Sequence, residues 1–160
     1  MITKEALLQI FKKEFATTLK AMHSFPENKI FFAPHERSSS AMVVIRTFVF
    51  EMYLIEFYVL GEKIDRSRFQ TYAPDKLATL IEDFEKESSH VVSALEKLSQ
   101  EEMSKPVEFA GKKFIADEFM LMMVFDMIHH RGQLSVYIRM AGGNVPSIYG
   151  PSADDSSTNL

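Results

Sequence analysis

The sequence predicts an all-α protein folded as an up-and-down four-helix bundle. Three observations support this prediction. Apolar residues recur at three- and four-residue steps in four long segments, shorter segments with glycine, proline and serine separate them, and 160 residues suffice for one domain with a sizeable core. Four long helical patterns joined by short connections are typical of such a bundle.

The first helix is predicted over residues 3–23. Its apolar residues repeat at helical steps on one face, namely Leu8, Phe11, Phe15, Leu19 and Met22. The segment 24–37 contains two prolines and no sustained periodicity, so we interpret it as a connection.

The second helix is predicted from the three serines at 38–40, which offer N-cap residues, to about Leu60, before Gly61. It contains the longest apolar run of the chain, from Ala41 to Leu60. A membrane span is disfavoured because charges are costly at bilayer depth, and three interrupt the run: Arg46, Glu51 and Glu56.

The third helix follows a loop that carries Arg66, Arg68, Gln70 and Tyr72, and we expect Pro74 in its first turn. Its apolar stripe predicts core residues, namely Leu77, Leu80, Ile81, Phe84, Val91, Val92, Leu95 and Leu98. The opposite face is charged, as expected for a helix that exposes one side to water.

The segment between Lys105 and Ile115 favours either a short two-stranded β-ribbon or an ordered loop before the last helix. The fourth helix is predicted from about Asp117 to Ala141, where two glycines end it. The segment 145–151 is apolar enough to pack across one end of the bundle. We therefore expect a single domain over residues 1–151 and a polar C-terminal tail over residues 152–160.

Composition excludes several classes of function. Lys and Arg number 18 against 22 Asp and Glu, for a formal charge of −4, so the chain lacks the positive field that nucleic-acid-binding proteins use to collect phosphates. With Cys 0 there are no disulfides, thiolate ligands or cysteine nucleophiles, and any metal must take nitrogen and oxygen ligands. The amphipathic N-terminus lacks a signal-peptide pattern, so we expect a cytoplasmic protein without membrane or nucleic-acid partners.

The fourth helix carries a polar stripe inside an apolar run. Asp126, His130, Gln133 and Tyr137 follow one another at helical spacing and therefore share a face. The stripe is either a site or a satisfied polar network, because the Asp126 to His130 pair is equally consistent with a hydrogen bond within the helix. Arg131 and Arg139 are interpreted as surface or interface residues.

The run His130-Arg131-Gly132-Gln133-Leu134, with the later Gly142-Gly143-Asn144-Val145-Pro146, resembles the signature of the DinB/YfiT-like superfamily. The resemblance implies a four-helix, metal-dependent protein. It further implies a divalent metal, often nickel or zinc, held by three histidines. One histidine comes from the second helix and two come from an H-x-x-x-H pair in the fourth.

Two of these three ligands differ in this chain. His130 matches the second member of the pair, Asp126 stands at the first, and the matching place in the second helix falls at Arg46 or Thr47. If Arg46 faces the site, its cation repels a metal and pairs with Asp126 or a substrate carboxylate. If Thr47 faces it, Asp126 and His130 can hold a metal weakly, with Glu51 or water completing the shell.

The resemblance implies an enzyme-like bundle with a small-molecule pocket near Asp126 and His130. If active, such a protein would be a metal-dependent hydrolase or a thiol-dependent transferase or isomerase, and its catalytic residues are unknown. The candidates for lining the pocket are Arg46, Thr47, Gln133 and Tyr137. The alternative is a non-catalytic, dimeric interaction or ligand-binding module whose metal site has decayed. A homodimer is expected in either case, from the resemblance and from the high apolar content of the second and fourth helices.

Overall fold

The computed structural model describes residues 2–62 and 71–155 and has four long helices and a small two-stranded sheet. In chain order these are α1 (Lys4–His23), α2 (Ala41–Tyr58), α3 (Leu77–Leu95), β1 (Pro106–Phe109), β2 (Lys112–Ile115) and α4 (Ala116–Met140). Short 3₁₀ turns lie at Glu27–Lys29 and Glu102–Ser104. The predicted four-helix bundle is confirmed, and the uncertain segment before the last helix is a ribbon. The predicted loop with Arg66, Arg68 and Gln70 lies outside the described residues.

The helix boundaries follow the predicted caps, with one exception. Thr3 caps α1 through its hydroxyl, which accepts from the backbone N–H of Ala6 at 3.2 Å, and Ser40 occupies the N-cap position of α2. The prediction that Pro74 lies in the first turn of α3 is wrong, because Lys76 is still extended and the helix begins one residue later. In the segment before the helix, the Tyr72 hydroxyl donates to Asp83 at 2.6 Å and ties this segment to the side of α3.

Each helix packs against two neighbours. α2 contacts α3 and α4, and α1 contacts the same two helices, so the order around the bundle is α1, α4, α2, α3. Because α2 and α4 are adjacent, polar side chains of one can meet those of the other. No helix of the described residues is long and apolar enough to cross a membrane.

Aromatic rings in edge-to-face contact form the centre of the core. The ring of Phe15 lies 5.1 Å from that of Phe11 and 5.9 Å from that of Phe84, which in turn lies 6.2 Å from Phe48. These rings come from α1, α2 and α3, and edge-to-face geometry is the preferred arrangement of such pairs. The third helix therefore joins the core through the stripe that its sequence predicted.

The ribbon closes one end of the α2 and α4 pair. Its two-residue turn, Ala110-Gly111, has positive φ values of 51° and 74°, the backbone that matches the twist of a tight hairpin. The ring of Phe109 lies 5.4 Å from that of Tyr58 on α2 and 5.4 Å from that of Phe119 on α4. The hairpin therefore covers apolar surface that both helices would otherwise expose.

A buried ion pair joins α4 to α1. The interpretation of Arg131 as a surface or interface residue is wrong, since only 1% of it is exposed. Its guanidinium donates to the Glu14 carboxylate at 2.6 Å and to the Thr18 hydroxyl at 3.0 Å. The Tyr149 hydroxyl contacts both charged groups. Because its donors find several acceptors, this cation is stable in an interior where an unpaired charge would not be.

The C-terminal segment packs along α1 and α4. Beyond the contact of Tyr149 with the buried ion pair, the Lys20 ammonium donates to the Ser147 carbonyl at 3.0 Å. Arg139 pairs with Asp154 at 2.6 Å, so the expected polar tail is partly held on the surface of the bundle. Residues 156–160 of that tail lie outside the described residues.

We predict that Phe84→Ala destabilises the fold by about 3–5 kcal/mol, because it leaves a cavity between the rings of Phe15 and Phe48. Chemical denaturation measures the change. Phe31→Ala is the matched control, since the Phe31 ring is largely exposed and its loss should cost little. Equal effects of the two substitutions would contradict this assignment of the core.

Candidate functional site

The polar stripe of α4 faces α2. Arg131 points to α1, and successive residues of a helix lie about 100° apart, so His130 is turned toward the other neighbour of α4. Asp126 precedes His130 by one helical turn, and Gln133 and Tyr137 follow it by about one and two turns. The four side chains therefore lie on the same face of α4. The buried ion pair therefore lies on the side of α4 that faces α1, and the candidate site lies on the side that faces α2.

Hydrogen bonds connect the stripe from His130 to Tyr137. The Asp126 Oδ2 atom lies 3.7 Å from His130 Nε2, and His130 Nδ1 lies 3.2 Å from Gln133 Oε1. Gln133 Nε2 donates to the Tyr137 hydroxyl at 3.1 Å, and that hydroxyl donates to the Ser39 carbonyl at 3.1 Å. The stripe is a satisfied network over most of its length, and only the Asp126 end departs from hydrogen-bond distance.

The stripe runs from the surface to the interior. The Tyr137 side chain is buried, His130 is partly buried and 48% of the Asp126 side chain is exposed. Asp126 therefore lies at the solvent-exposed end of the stripe. Water reaches its carboxylate there, which explains how the charge is tolerated on an otherwise apolar helix.

Glu51 on α2 is the group that stands opposite Asp126. It is buried, and no hydrogen-bond donor among the described residues contacts either of its carboxylate oxygens. Burial raises the pKa of Glu51 well above its usual range, and the Asp126 carboxylate raises it further, through its negative charge and through a hydrogen bond that only the protonated form of Glu51 can donate. A buried carboxylate whose one polar neighbour is a second carboxylate is unusual, so this position is the most informative feature of the site.

Of the two second-helix candidates, Arg46 is turned away. Its guanidinium donates to the Tyr72 carbonyl at 3.2 Å and lies over the Phe50 ring, 5.3 Å from the centroid. The Thr47 hydroxyl donates to a carbonyl of its own helix, at Val43. Glu51 lies one turn beyond Thr47 and extends toward α4, so the carboxylate is the group that α2 brings to Asp126. Sequence reasoning treated Glu51 only as an auxiliary ligand.

The donor set fits a divalent cation in type and charge. Two carboxylates and an imidazole are ligands that zinc, nickel and related metals accept. The 3.7 Å between Asp126 Oδ2 and His130 Nε2 is close to the roughly 3.3 Å between neighbouring ligands of a tetrahedral site with such bonds. Within residues 2–62 and 71–155, no three His, Asp or Glu side chains form a ready-made ligand cluster. Binding would therefore require the side chains of the site to move.

Two surface cavities of the described residues lie away from the stripe. One of about 360 Å³ lies between α1 and α3 and includes Lys12, Phe15 and Ser88 in its lining. Another of about 250 Å³ lies beside Met140 and Val145. A substrate pocket beside Asp126 and His130, lined by Arg46, Thr47, Gln133 and Tyr137, stays a prediction.

A comparison with known families identifies the family of this chain. The DinB family model matches residues 1–159. The chain belongs to the DinB family. The uncharacterized protein YrdA of Bacillus subtilis is 26% identical to it over 83 residues, which cover 51% of this chain and half of YrdA.

Solved structures share the fold of this DinB protein. A DinB-like protein from Bacillus cereus has a TM-score of 0.81 at 22% identity, over 91% of this chain and 97% of that one. The DinB-like protein YjoA of Bacillus subtilis has a TM-score of 0.70 at 21% identity, over 92% and 99%. A mycothiol-dependent maleylpyruvate isomerase has a TM-score of 0.68 at 14% identity, over 83% and 61%. At these identities the likeness shows the fold alone.

We predict that Glu51→Gln stabilises the metal-free protein at neutral pH by about 1–3 kcal/mol, because the amide has no charge to desolvate and can donate to Asp126. The pKa of Glu51 is higher in the folded chain than in the unfolded chain. Protonated Glu51 therefore makes its full contribution to the stability of the wild type below the pKa that it has in the unfolded chain. The wild type loses this contribution as the pH rises through the pKa that Glu51 has in the folded chain.

The difference in free energy of unfolding between Glu51→Gln and the wild type should consequently vanish near pH 4 and grow toward neutral pH. Denaturation across that range, with a chelator present, measures it. Glu62→Gln is the control, since that carboxylate is partly exposed and paired with His90. A variant less stable than the wild type at neutral pH would mean that Glu51 has a favourable partner.

Proposed function

We propose that this DinB-family protein binds a divalent cation, nickel or zinc, between α2 and α4 and acts as a metal-dependent, enzyme-like bundle on a small molecule. The observation that carries the proposal is the Glu51 carboxylate, which is buried with no donor of its own beside Asp126, the residue that also lies 3.7 Å from His130. A cation supplies what this arrangement lacks, because it compensates both negative charges at once.

Glu51, Asp126 and His130 would hold the cation, with Thr47 one turn from Glu51 on the same helix. Oxygen donors replace two of the three imidazoles that the family resemblance implies, so we expect weaker binding than at a three-histidine site. The cation would supply Lewis acidity that lowers the pKa of a bound water or thiol. Asp126, being half exposed, marks the side from which a small molecule would approach.

The reaction class is left at two possibilities, a hydrolysis that uses water or a transfer or isomerisation that uses a low-molecular-weight thiol. The shared fold with a mycothiol-dependent isomerase supports the second as a hypothesis. Either reaction also needs an acceptor for the proton of the nucleophile, and solvent reaches the site on the half-exposed Asp126 side to provide one.

Calorimetric titration of tag-free, chelator-treated protein with nickel and with zinc tests the proposal. We expect one cation per chain in the wild type, no detectable binding in His130→Ala and binding weaker by at least about tenfold in Glu51→Gln. The matched control is His129→Ala, which removes the neighbouring, exposed imidazole. Absence of binding by the wild type, or equal losses in His129→Ala and His130→Ala, would refute the site.

The outward face of α4 favours a second candidate, a dimeric interaction or ligand-binding module. Three apolar side chains on this face are exposed, Phe125 by 64%, Val136 by 57% and Met140 by 55%. Gly132 lies between them with open space above its Cα, so another helix can approach closely. Exposed apolar surface of this kind typically marks an interaction site.

The spacing of the face suits a second copy of the same chain. In an antiparallel helix pair centred between residues 132 and 133, Phe125 stands opposite Met140 of the other copy and His129 stands opposite Val136. Each contact then occurs twice, as a two-fold interface requires. A homodimer formed this way would cover the outward side of α4 and leave the buried ion pair untouched.

We predict a dimer of the wild type at micromolar concentration and a monomer of Val136→Glu, because a buried, unpaired carboxylate at the interface opposes association. Sedimentation velocity measures both. Phe31→Glu is the control, since it adds the same charge to an exposed apolar residue outside α4. If the wild type is a monomer at about 50 µM, the predicted dimer is wrong and this second candidate function is refuted.

A further inference from the structure

We propose that Gln133 and Tyr137 are positioning residues that hold neutral His130 in the tautomer with its proton on Nδ1. The Nε2 lone pair then faces Asp126. The inference deepens the metal site proposed above, because a histidine that ligates through Nε2 needs that lone pair. It rests on the direction of three hydrogen bonds, which can be deduced from the one group whose role is fixed.

The fixed group is the Ser39 backbone carbonyl, which can only accept. The Tyr137 hydroxyl lies 3.1 Å from it and has a single proton to donate. The Tyr137 side chain is buried, and its ring packs edge-on against Phe32 at 6.1 Å, so the hydroxyl is held in place. With its proton directed to Ser39, the Tyr137 oxygen is left as an acceptor for its other neighbour.

That neighbour is the Gln133 amide. An amide has one end that donates and one that accepts, and the Tyr137 oxygen requires the donating end, Nε2, at 3.1 Å. The accepting end, Oε1, is then the atom that faces His130 Nδ1 at 3.2 Å. A flipped amide would set Oε1 against a hydroxyl whose proton is already used. Only one orientation turns all three contacts into hydrogen bonds.

The consequence for His130 follows directly. Since Gln133 Oε1 accepts, Nδ1 must carry the proton, and in the neutral ring Nε2 carries none. Nε2 lies 3.7 Å from Asp126 Oδ2, so two acceptors face each other across a gap too long for a hydrogen bond. A cation bound by both atoms resolves this opposition. A partner that fixes the other ring nitrogen is what metal-ligating histidines typically have.

Nitrogen-15 NMR of the metal-free protein tests the tautomer, because the protonated and unprotonated ring nitrogens have well-separated shifts. At about pH 8, wild-type His130 should show a protonated Nδ1 and an unprotonated Nε2. In Tyr137→Phe the ring packing stays, but the amide of Gln133 can flip, so an Nε2-protonated population should appear. Gln133→Leu should show the same change.

Two controls separate positioning from general disturbance of the helix. Ser135→Ala removes a hydroxyl that bonds to the Arg131 carbonyl on the same helix, outside the chain of contacts, and should leave His130 unchanged. Gln133→Glu keeps an acceptor at the same place and should preserve the Nδ1-protonated form. His129, in the same spectra, reports on an exposed imidazole beside the site.

The result that would overturn the inference is an Nε2-protonated His130 in the wild type, or the same tautomer in the wild type, Tyr137→Phe and Gln133→Leu. Because the tautomer is read without metal, it stands or falls separately from metal binding. If the cation binds, Gln133→Leu should weaken it by about 10- to 100-fold and Gln133→Glu should not. If Gln133→Leu weakens cation binding only as much as Ser135→Ala does, Gln133 has a structural role only.

Discussion

The buried ion pair between Arg131 and Glu14 fixes the rotation of α4 about its own axis, and the candidate site depends on that rotation. Arg131 and His130 are consecutive residues, so they point to different neighbours of the helix. With the guanidinium bonded to the Glu14 carboxylate and the Thr18 hydroxyl on α1, His130 is directed to α2. Removing one partner of such a pair leaves an uncompensated charge, which typically costs about 3–5 kcal/mol. That cost opposes any rotation that would turn His130 away from Glu51.

Two of the buried glutamates, Glu14 on α1 and Glu51 on α2, have opposite surroundings. Glu14 accepts hydrogen bonds from a guanidinium and a tyrosine hydroxyl, whereas no donor among the described residues contacts the Glu51 carboxylate. Folding alone favours the first arrangement and opposes the second, since desolvation penalises the charged form of Glu51. Uncompensated groups of this kind concentrate at functional sites. The contrast within one small core is the strongest physical reason to assign a ligand to the α2 and α4 groove and not to the α1 side.

The fold could be predicted from the sequence because its signals are local, whereas the site could not because its signals depend on direction. Helical periodicity, the serine N-cap of α2 and the two-residue turn at Ala110-Gly111 each involve neighbours in the chain. α2 and α4 are apolar around most of their circumference, so their periodicity does not say which face meets which partner. The side chains of consecutive residues in a helix point about 100° apart around its axis. Arg46 and Thr47 therefore point in different directions, and so do Arg131 and His130. The role of Glu51 became visible only when α2 and α4 were placed side by side.

Exchanging imidazoles for carboxylates changes the charge of the site as well as its ligands. Three histidines around a divalent cation leave a net charge of +2, whereas Glu51 and Asp126 with one histidine bring the same ion to formal neutrality. Without a cation, two carboxylates repel an anionic ligand such as a thiolate, and at least one of them favours its protonated form. With a cation held, that repulsion is removed and the half-exposed Asp126 side stays open to solvent. An anionic small molecule would therefore bind only after the cation, and this order follows from charge alone, whichever reaction the site performs.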